Sequence, residues 1–435
     1  MNDAGFAALV SLAEERMRNL RIPGVALGVA DPEGERVAGL GVTDVDHPRP
    51  VGADTVFSIA SITKTFTATT LVALRERGEL DLDAPVRSYA PEFTLDDREA
   101  ARRVTLRHLL THTGGWIGEM LPEDTDGEDA LARASAWCGA MRQVTVPGEL
   151  FSYNNVGFVV AGRVIEAVTR RRYEEVVAER ILGPLAMARS SFIPRADDDV
   201  AAEHTVRDGR PAVAAPWLVS RSGWPSGGLH STARDLLRYA RGHLGVELLS
   251  ARAAAEMLSP LVSDGSRDGS QGLGWVITGG GSARVAAHGG ATVTHMSTLC
   301  LVPQRRVALV VLTNGALGAQ LCRDVQVAAL RDIAGVAAPP EPMTRALPDA
   351  RLAPYAGRYE WPTSDLELAP DAGGLSLRLT WKGRVAERPP MPPVRLEFWD
   401  VDRALCVDGW AKGAYADFPQ PGLFRWSGRA RPRVA

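Results

Sequence analysis

Along this chain the alternation of apolar and polar positions marks out a helical opening, a pair of strands, a long helical middle, a strand-rich return and a small all-β end. Residues 1–20, "MNDAGFAALVSLAEERMRNL", place Phe6, Leu9, Val10, Ala13, Met17 and Leu20 at helical spacing, with Asp3, Glu14 and Glu15 on the other side. That spacing predicts a packed amphipathic helix. Two β-like runs follow, "GVALGVAD" at 24–31 and "RVAGLGVTD" at 36–44, joined by a "PEGE" turn. A helix within "FSIASITKTFTATTLVALRERGEL" (57–80) leads into a mostly helical middle that runs to about residue 250, broken by loops such as "PEDTDGED" and "RADDD". From 272 short strands return as "GLGWVIT", "ARVAAH", "THMSTLCLV" and "RVALVVLT", ending in an apolar helix near 317–334. Strands at both ends of a helical region predict a single mixed sheet that the two ends build together.

A composition break follows at "GVAAPPEPMTRALPDA", where Pro339, Pro340, Pro342 and Pro348 read as a stiff linker. Beyond it, "LSLRLTW" and "VRLEFWD" alternate apolar and polar between Gly and Pro turns, which predicts a small all-β unit. The expected division is therefore 1–335, a Pro-rich linker over 336–349, and 350–435.

Composition narrows the function classes. With 435 residues, 45% of them hydrophobic and a formal net charge of −3, the chain can bury a large core and offers no basic footprint for nucleic acid. No apolar run is long enough to span a membrane, and the opening helix lacks the basic start and uninterrupted apolar stretch of a secretory signal. Cys138, Cys300, Cys322 and Cys406 fit neither a zinc pattern nor a disulfide framework, which suits a reducing compartment. The expectation is a cytoplasmic protein.

Charge type singles out one position. Of 49 Lys and Arg, only Lys64, Lys382 and Lys412 are lysines. Lysine, unlike arginine, can lose its proton when buried, so Lys64 is a candidate proton acceptor. Ser61 stands three residues before it, on the same helical face and within hydrogen-bond reach. Ser58 is expected to cap this helix, placing Ser61 in its first turn, where unpaired N–H groups favour an oxyanion. Phe57, Ile62 and Phe66 would dry the amine enough for it to activate the hydroxyl.

A chance Ser-x-x-Lys in such a chain has a probability of roughly 15%, so downstream motifs decide its weight. "FSYNNVGFVVAG" puts Tyr153 and Asn155 in a loop that opens a helix, and "AAHGGATVTHMS" puts His288, Gly289 and Gly290 at the end of a predicted strand. This order resembles the penicillin-recognising serine enzymes, in particular the branch of class C β-lactamases, D-amino-acid peptidases and β-lactamase-like esterases. "VTLRHLLTHTGG", "GGLHSTARDLLRYA" and "GLGW" are similar to segments recurring in that branch, and the resemblance covers about residues 5–335. The trailing unit, through "LAPYAGRYE" and "FRWSGRARPR", resembles the lipocalin-like domain of some members, including penicillin-binding-protein-type thioesterases that release and cyclise nonribosomal peptides.

The resemblance implies an α/β (α+β) fold of the serine β-lactamase/DD-peptidase type: an antiparallel sheet flanked by helices, a helical subdomain, and an appended all-β lipocalin-like domain. It implies Ser61 as nucleophile, Lys64 as its base, and Tyr153 exchanging the proton with Lys64 and the leaving group, since a phenol beside a cationic amine releases its proton more readily. Asn155 would hold the Lys64 amine and the substrate amide, the backbone N–H groups of Ser61 and Ala291 would form the oxyanion hole, and Gly289 and Gly290 would bind substrate. His288 stands where β-lactamases usually carry lysine; an imidazole is a weaker fixed cation but can relay protons. That departure argues against efficient β-lactam hydrolysis.

The implied activity is acyl transfer through Ser61 on a small-molecule or peptidyl substrate, free or carrier-bound, with no cofactor. The sharper form is release or cyclisation of a nonribosomal peptide; the alternatives are a plain esterase or D-peptidase, and a non-catalytic binding or sensor homologue. His108 and His112 stand at a metal-ligand spacing, but with no acidic residue between them they read as structural hydrogen-bonding groups, as do His230 and His295. "TGGGS" at 278–282 reads as a turn between strands.

Overall fold

The computed structural model describes residues 3–119, 126–216, 219–245, 248–280 and 283–434. Its centre is an eight-stranded sheet whose strands are β1 (Gly24–Asp31), β2 (Gly34–Gly41), β3 (Val262–Ser263), β4 (Ser270–Gln271), β5 (Val276–Gly280), β6 (Ala283–Ala291), β7 (Met296–Val302) and β8 (Val307–Thr313). The spatial order is β2-β1-β8-β7-β6-β5-β4-β3. β1 pairs with β8 from Val25 opposite Thr313 to Ala30 opposite Ala308, so both ends of the region do build one sheet. It is not mixed, because every pair of strands in it runs antiparallel.

Both faces of the sheet are covered, which explains why β1 and β8 read as continuous apolar runs rather than as alternating ones. On one face lie α1 (Asp3–Leu20) and, after β8, α6 (Gly318–Asp332), joined to Val25, Leu27, Val29, Leu309 and Val311 in one apolar cluster. On the other lies α5 (Ala233–Leu244), packed so closely that a Cβ on Gly28 would stand 3.0 Å from Leu237 Cδ1. The helical region adds α2 (Thr63–Glu76), α3 (Leu106–Leu110) and α4 (Asn155–Thr169), all within the larger core. The expected strand over "GLGWVIT" begins only at Val276, because Gly272–Trp275 forms a tight turn with Gly274 at φ +77°. Two residues of "TGGGS", 281 and 282, lie outside the described residues.

The C-terminal unit is a closed eight-stranded barrel of β9 (Gly357–Trp361), β10 (Ser364–Asp371), β11 (Gly374–Trp381), β12 (Val394–Asp400), β13 (Arg403–Cys406), β14 (Tyr415–Gln420), β15 (Leu423–Trp426) and β16 (Arg429–Val434). Closure leaves no free sheet edge. Its interior is filled by side chains such as Tyr359, Phe398, Phe418 and Phe424. Ser427 at φ +50° and Gly428 at φ +72° join β15 to β16 in the two-residue turn that matches strand twist.

That hairpin is sewn to the chain ahead of α4. Tyr153 N–H donates to the Gly428 carbonyl at 2.8 Å, Ala430 N–H to Ser152 Oγ at 3.0 Å, and Arg425 Nη1 to the Phe151 carbonyl at 3.0 Å. Arg425 is also paired through Nε with buried Asp417 at 2.8 Å. Replacing Arg425 by alanine strands that carboxylate and frees the hairpin, so denaturant unfolding should report a loss of about 3–5 kcal/mol. A loss below about 1 kcal/mol would show the joint to be superficial.

Candidate active site

The turn bearing Ser61 is shaped by its neighbours. Phe57 and Ser58 form a two-residue strand against Ser231 and His230, and Ser58 N–H donates to His295 Nδ1 at 3.1 Å. Ser58 therefore does not cap the helix. After Ile59 the backbone turns through Ala60 at φ +44°, a conformation costly for a residue with a Cβ, and Ala60–Ile62 form a 3₁₀ turn before α2 begins at Thr63. Ser61 lies in that turn rather than in the first turn of α2. The spacing of three still aligns it with Lys64.

Lys64 is wholly buried, and its Nζ is hydrogen-bonded to Ser61 Oγ at 3.0 Å. It donates to the Ser226 carbonyl at 2.6 Å. Burial pushes the amine below the ordinary lysine range, opposed by the Tyr153 phenol and assisted by the positive charge of Arg429. Phe57, Ile62 and Phe66 are buried as expected, and Phe158, whose ring centroid is 5.8 Å from Nζ, completes the dry wall.

Tyr153 lies with its ring centroid 5.1 Å from Lys64 Nζ. The His112 ring stacks on it at 4.4 Å, and the Arg429 guanidinium sits 5.1 Å over it. His112 also accepts from Asn154 N–H at 3.0 Å, while His108 Nδ1 accepts from Thr105 N–H in a helix cap. Both histidines are thus structural. Asn154, not Asn155, caps α4, its side chain accepting from Gly157 N–H. Asn155 lines the cleft, but among the described residues it makes no bond to Lys64; the Ser226 carbonyl takes the place expected for it.

β6 forms the opposite wall. Gly290 pairs with Ser297, whose Oγ donates to the Ile59 carbonyl at 3.3 Å. A Cβ on Gly290 would fall 2.1 Å from that same carbonyl oxygen, so only glycine lets the strand approach the Ser61 turn this closely. Ser61, Gly289, Gly290 and Ala291 line one cleft of about 1530 Å³ with Tyr153, Asn155 and His288. The sequence-derived residues are brought together.

His288 is buried, and its Nδ1–H donates to the Gly289 carbonyl at 2.7 Å. Burial first, and the charge of Lys64 second, hold it down to about 4. At neutral pH it is an uncharged imidazole with a free Nε2 lone pair, not the weak cation expected from sequence.

Sequence reasoning missed Ser226, Arg429 and Glu119. Arg429 Nε pairs with Glu119 Oε2 at 2.7 Å, bringing a barrel residue onto the Tyr153 ring. "SGR" at 427–429 shows a turn but not what it docks against.

A dry lysine beside a serine, with a phenol alongside and a glycine-floored strand opposite, is the equipment of a serine hydrolase. The chain belongs to the Beta-lactamase family, which it matches over residues 9–331. Penicillin-binding protein 4 of Amycolatopsis lactamdurans is 32% identical over 370 residues, 80% of this chain and 96% of that protein. Among solved structures, SurE with D-Leu is similar over 100% of both chains at a TM-score of 0.81 and 25% identity. The octameric penicillin-binding protein homologue from Pyrococcus abyssi is similar over 99% of both at 0.68 and 25%. A class C β-lactamase from Rhodobacter sphaeroides shares the fold at 0.64 and 22% identity, covering 75% of this chain and 98% of its own.

His243, His288 and His295 are buried and held down to about 4 from an ordinary 6.5. Between those values the unfolded chain binds more protons, so their contribution to stability is complete above about 6.5 and is lost as pH falls towards about 4. Unfolding free energies measured across this window should rise with pH. His288→Gln should make the rise shallower by up to about 1.4 kcal/mol per pH unit; an unchanged slope would mean that the imidazole is solvated.

Proposed function

We propose that this protein is an acyl-transferring serine enzyme working through an ester on Ser61, and that its acyl donor is a peptidyl thioester released by cyclisation. The observation that carries the reaction class is the 3.0 Å contact between Ser61 Oγ and a fully buried Lys64 amine. In the first half-reaction Lys64 Nζ accepts the Ser61 proton as Oγ bonds to the thioester carbonyl carbon. The oxyanion is met by the N–H groups of Ser61 and Ala291. The C–S bond then breaks, and the thiolate takes a proton passed back through Lys64 and Tyr153. In the second half an amine attacks the ester carbon, gives up a proton by the same route, and Ser61 leaves as the hydroxyl. Water in the amine's place gives the linear acid.

Two observations favour the peptide form over a plain esterase or D-peptidase. The barrel hairpin lines a cleft whose volume of about 1530 Å³ exceeds a small ester's needs, and a structure similar over the whole of this chain, barrel included, holds an amino acid. That structure holds D-Leu, which supports a D-configured acylating residue here. Neutral His288 supports a substrate that is not anchored there by a carboxylate.

Turnover of a p-nitrophenyl ester should fall by at least about a hundredfold in Ser61→Ala; equal turnover would leave only a ligand-binding role. A peptidyl thioester with a free N-terminal amine and a D-configured acyl residue should yield a product one water lighter than the linear acid. Linear acid alone would make the protein a hydrolase. Arg429→Ala, which uncovers the Tyr153 ring, should change the ratio of cyclic to linear product more than the rate of Ser61 modification by a small phosphonate. A matching loss in both would reduce the hairpin to a support for the fold.

A further inference from the structure

The cleft does not end at the nucleophile. Successive residues of a strand face opposite sides of the sheet. Gly290 pairs with Ser297, which bonds the Ser61 turn, whereas Gly289 pairs with Thr298, which donates to Gln326 of α6 at 3.0 Å. The cavity therefore passes round the edge of β6, from the Ser61 face to the α6 face. It can do so because β5 stops pairing at Ala287, leaving the last four residues of β6 without a neighbour on that side. A Cβ at Gly289 would meet only the Ser297 carbonyl, at 3.6 Å, so the passage is open there.

On α4 the lining is apolar, through Val156 and Val159, and Val219 lines the same cleft. Arg323 of α6 and Arg388 of the barrel line it as well. The other charged groups of the cleft are satisfied: Arg429 pairs with Glu119, Arg425 with Asp417, and the Asp264 carboxylate accepts from the N–H and hydroxyl of Ser266. Among the described residues no carboxylate pairs with Arg323 or Arg388. Both are exposed, and Arg388 is fixed over the Trp381 ring at 5.2 Å. Val327 and Val293, which also line the cleft, are 44% and 48% exposed.

We propose that the α6 side of the cleft holds the leaving group of the acyl donor, and that Arg323 and Arg388 bind the phosphate of a phosphopantetheine arm. This rests on the thioester reading above. A cleft that runs round a strand edge and carries unpaired cations suits a thin chain with a thioester at one end and a phosphate at the other. The acyl part then lies along α4, and the freed thiol withdraws along the route by which it entered.

The test compares one peptide as its phosphopantetheine thioester and as its pantetheine thioester, which differ by the phosphate alone. Wild type should favour the phosphorylated donor on the order of tenfold in kcat/KM at low salt, the scale of two exposed charge contacts, and the preference should shrink as salt screens it. The double variant Arg323→Ala/Arg388→Ala should lose the preference. Because both donors are measured on one preparation, the ratio is independent of how much of it is folded. The single variants, each losing part of the preference, give the same reading if the double variant does not fold. No preference in wild type, or one retained in the variants, overturns the proposal and leaves the thioester reading standing. Turnover of neither thioester alongside turnover of a p-nitrophenyl ester overturns both.

Discussion

The site is organised by the burial of one amine. Keeping an ammonium charged at a dry position costs several kcal/mol unless a carboxylate answers it. Lys64 has a hydroxyl, a carbonyl and a phenol around it instead. Glu119, a carboxylate whose charge Lys64 feels, is taken by Arg429. Burial therefore lowers the cost of losing the ammonium proton, and the deprotonated amine is the form able to accept one from Ser61.

Holding the amine there requires the segment after residue 224 to lie along α2, and the threonines of α2 fasten it. Thr67 donates to the Pro225 carbonyl at 2.6 Å, Lys64 to that of Ser226, and Leu229 N–H donates to Thr63 Oγ1 at 3.1 Å. Positions 63, 64 and 67 fall on one helical face. Thr63 also donates to the Ala60 carbonyl at 2.6 Å, tying this fastening to the strained turn that presents Ser61. A buried threonine-rich helix, which propensity disfavours, is thus the anchor of the nucleophile.

Legibility follows the distance over which each feature is determined. Helix α1, strands β1 and β8 and the Ser61–Lys64 pair are set by periodicity within a few residues, and each could be read directly. Ser58 could not: it has the chemistry of a cap, but its partner is a strand from residues 230–231, so a strand and a 3₁₀ turn replaced the helix start. Ser226 reaches Lys64 across 162 positions through a carbonyl, a group that every residue carries, and leaves no residue-type signal. Arg429 meets Glu119 across 310 positions in a chain where arginine is the commonplace cation. The charge state of His288 depends on its burial, which only the packed cleft determines.

Charge placement also bears on which carbonyl the site can activate. Near Ser61 the described residues present an imidazole held down to about 4, an amine held below the ordinary lysine range and an arginine already committed to Glu119. An acyl donor that needs its own carboxylate held beside the reacting bond meets, among the described arginines near Tyr153, one already paired with Glu119. A donor whose carbonyl is activated by its leaving group needs no such cation, since its orientation can come from backbone pairing along β6 and from apolar contact along α4. The cleft's cations without a carboxylate partner among the described residues are Arg323 of α6 and Arg388 of the barrel, which the proposal above assigns to the leaving group. On that proposal positive charge would meet the part of the substrate that departs rather than the acyl part, an arrangement that would suit an ester or thioester better than an acid-terminated peptide.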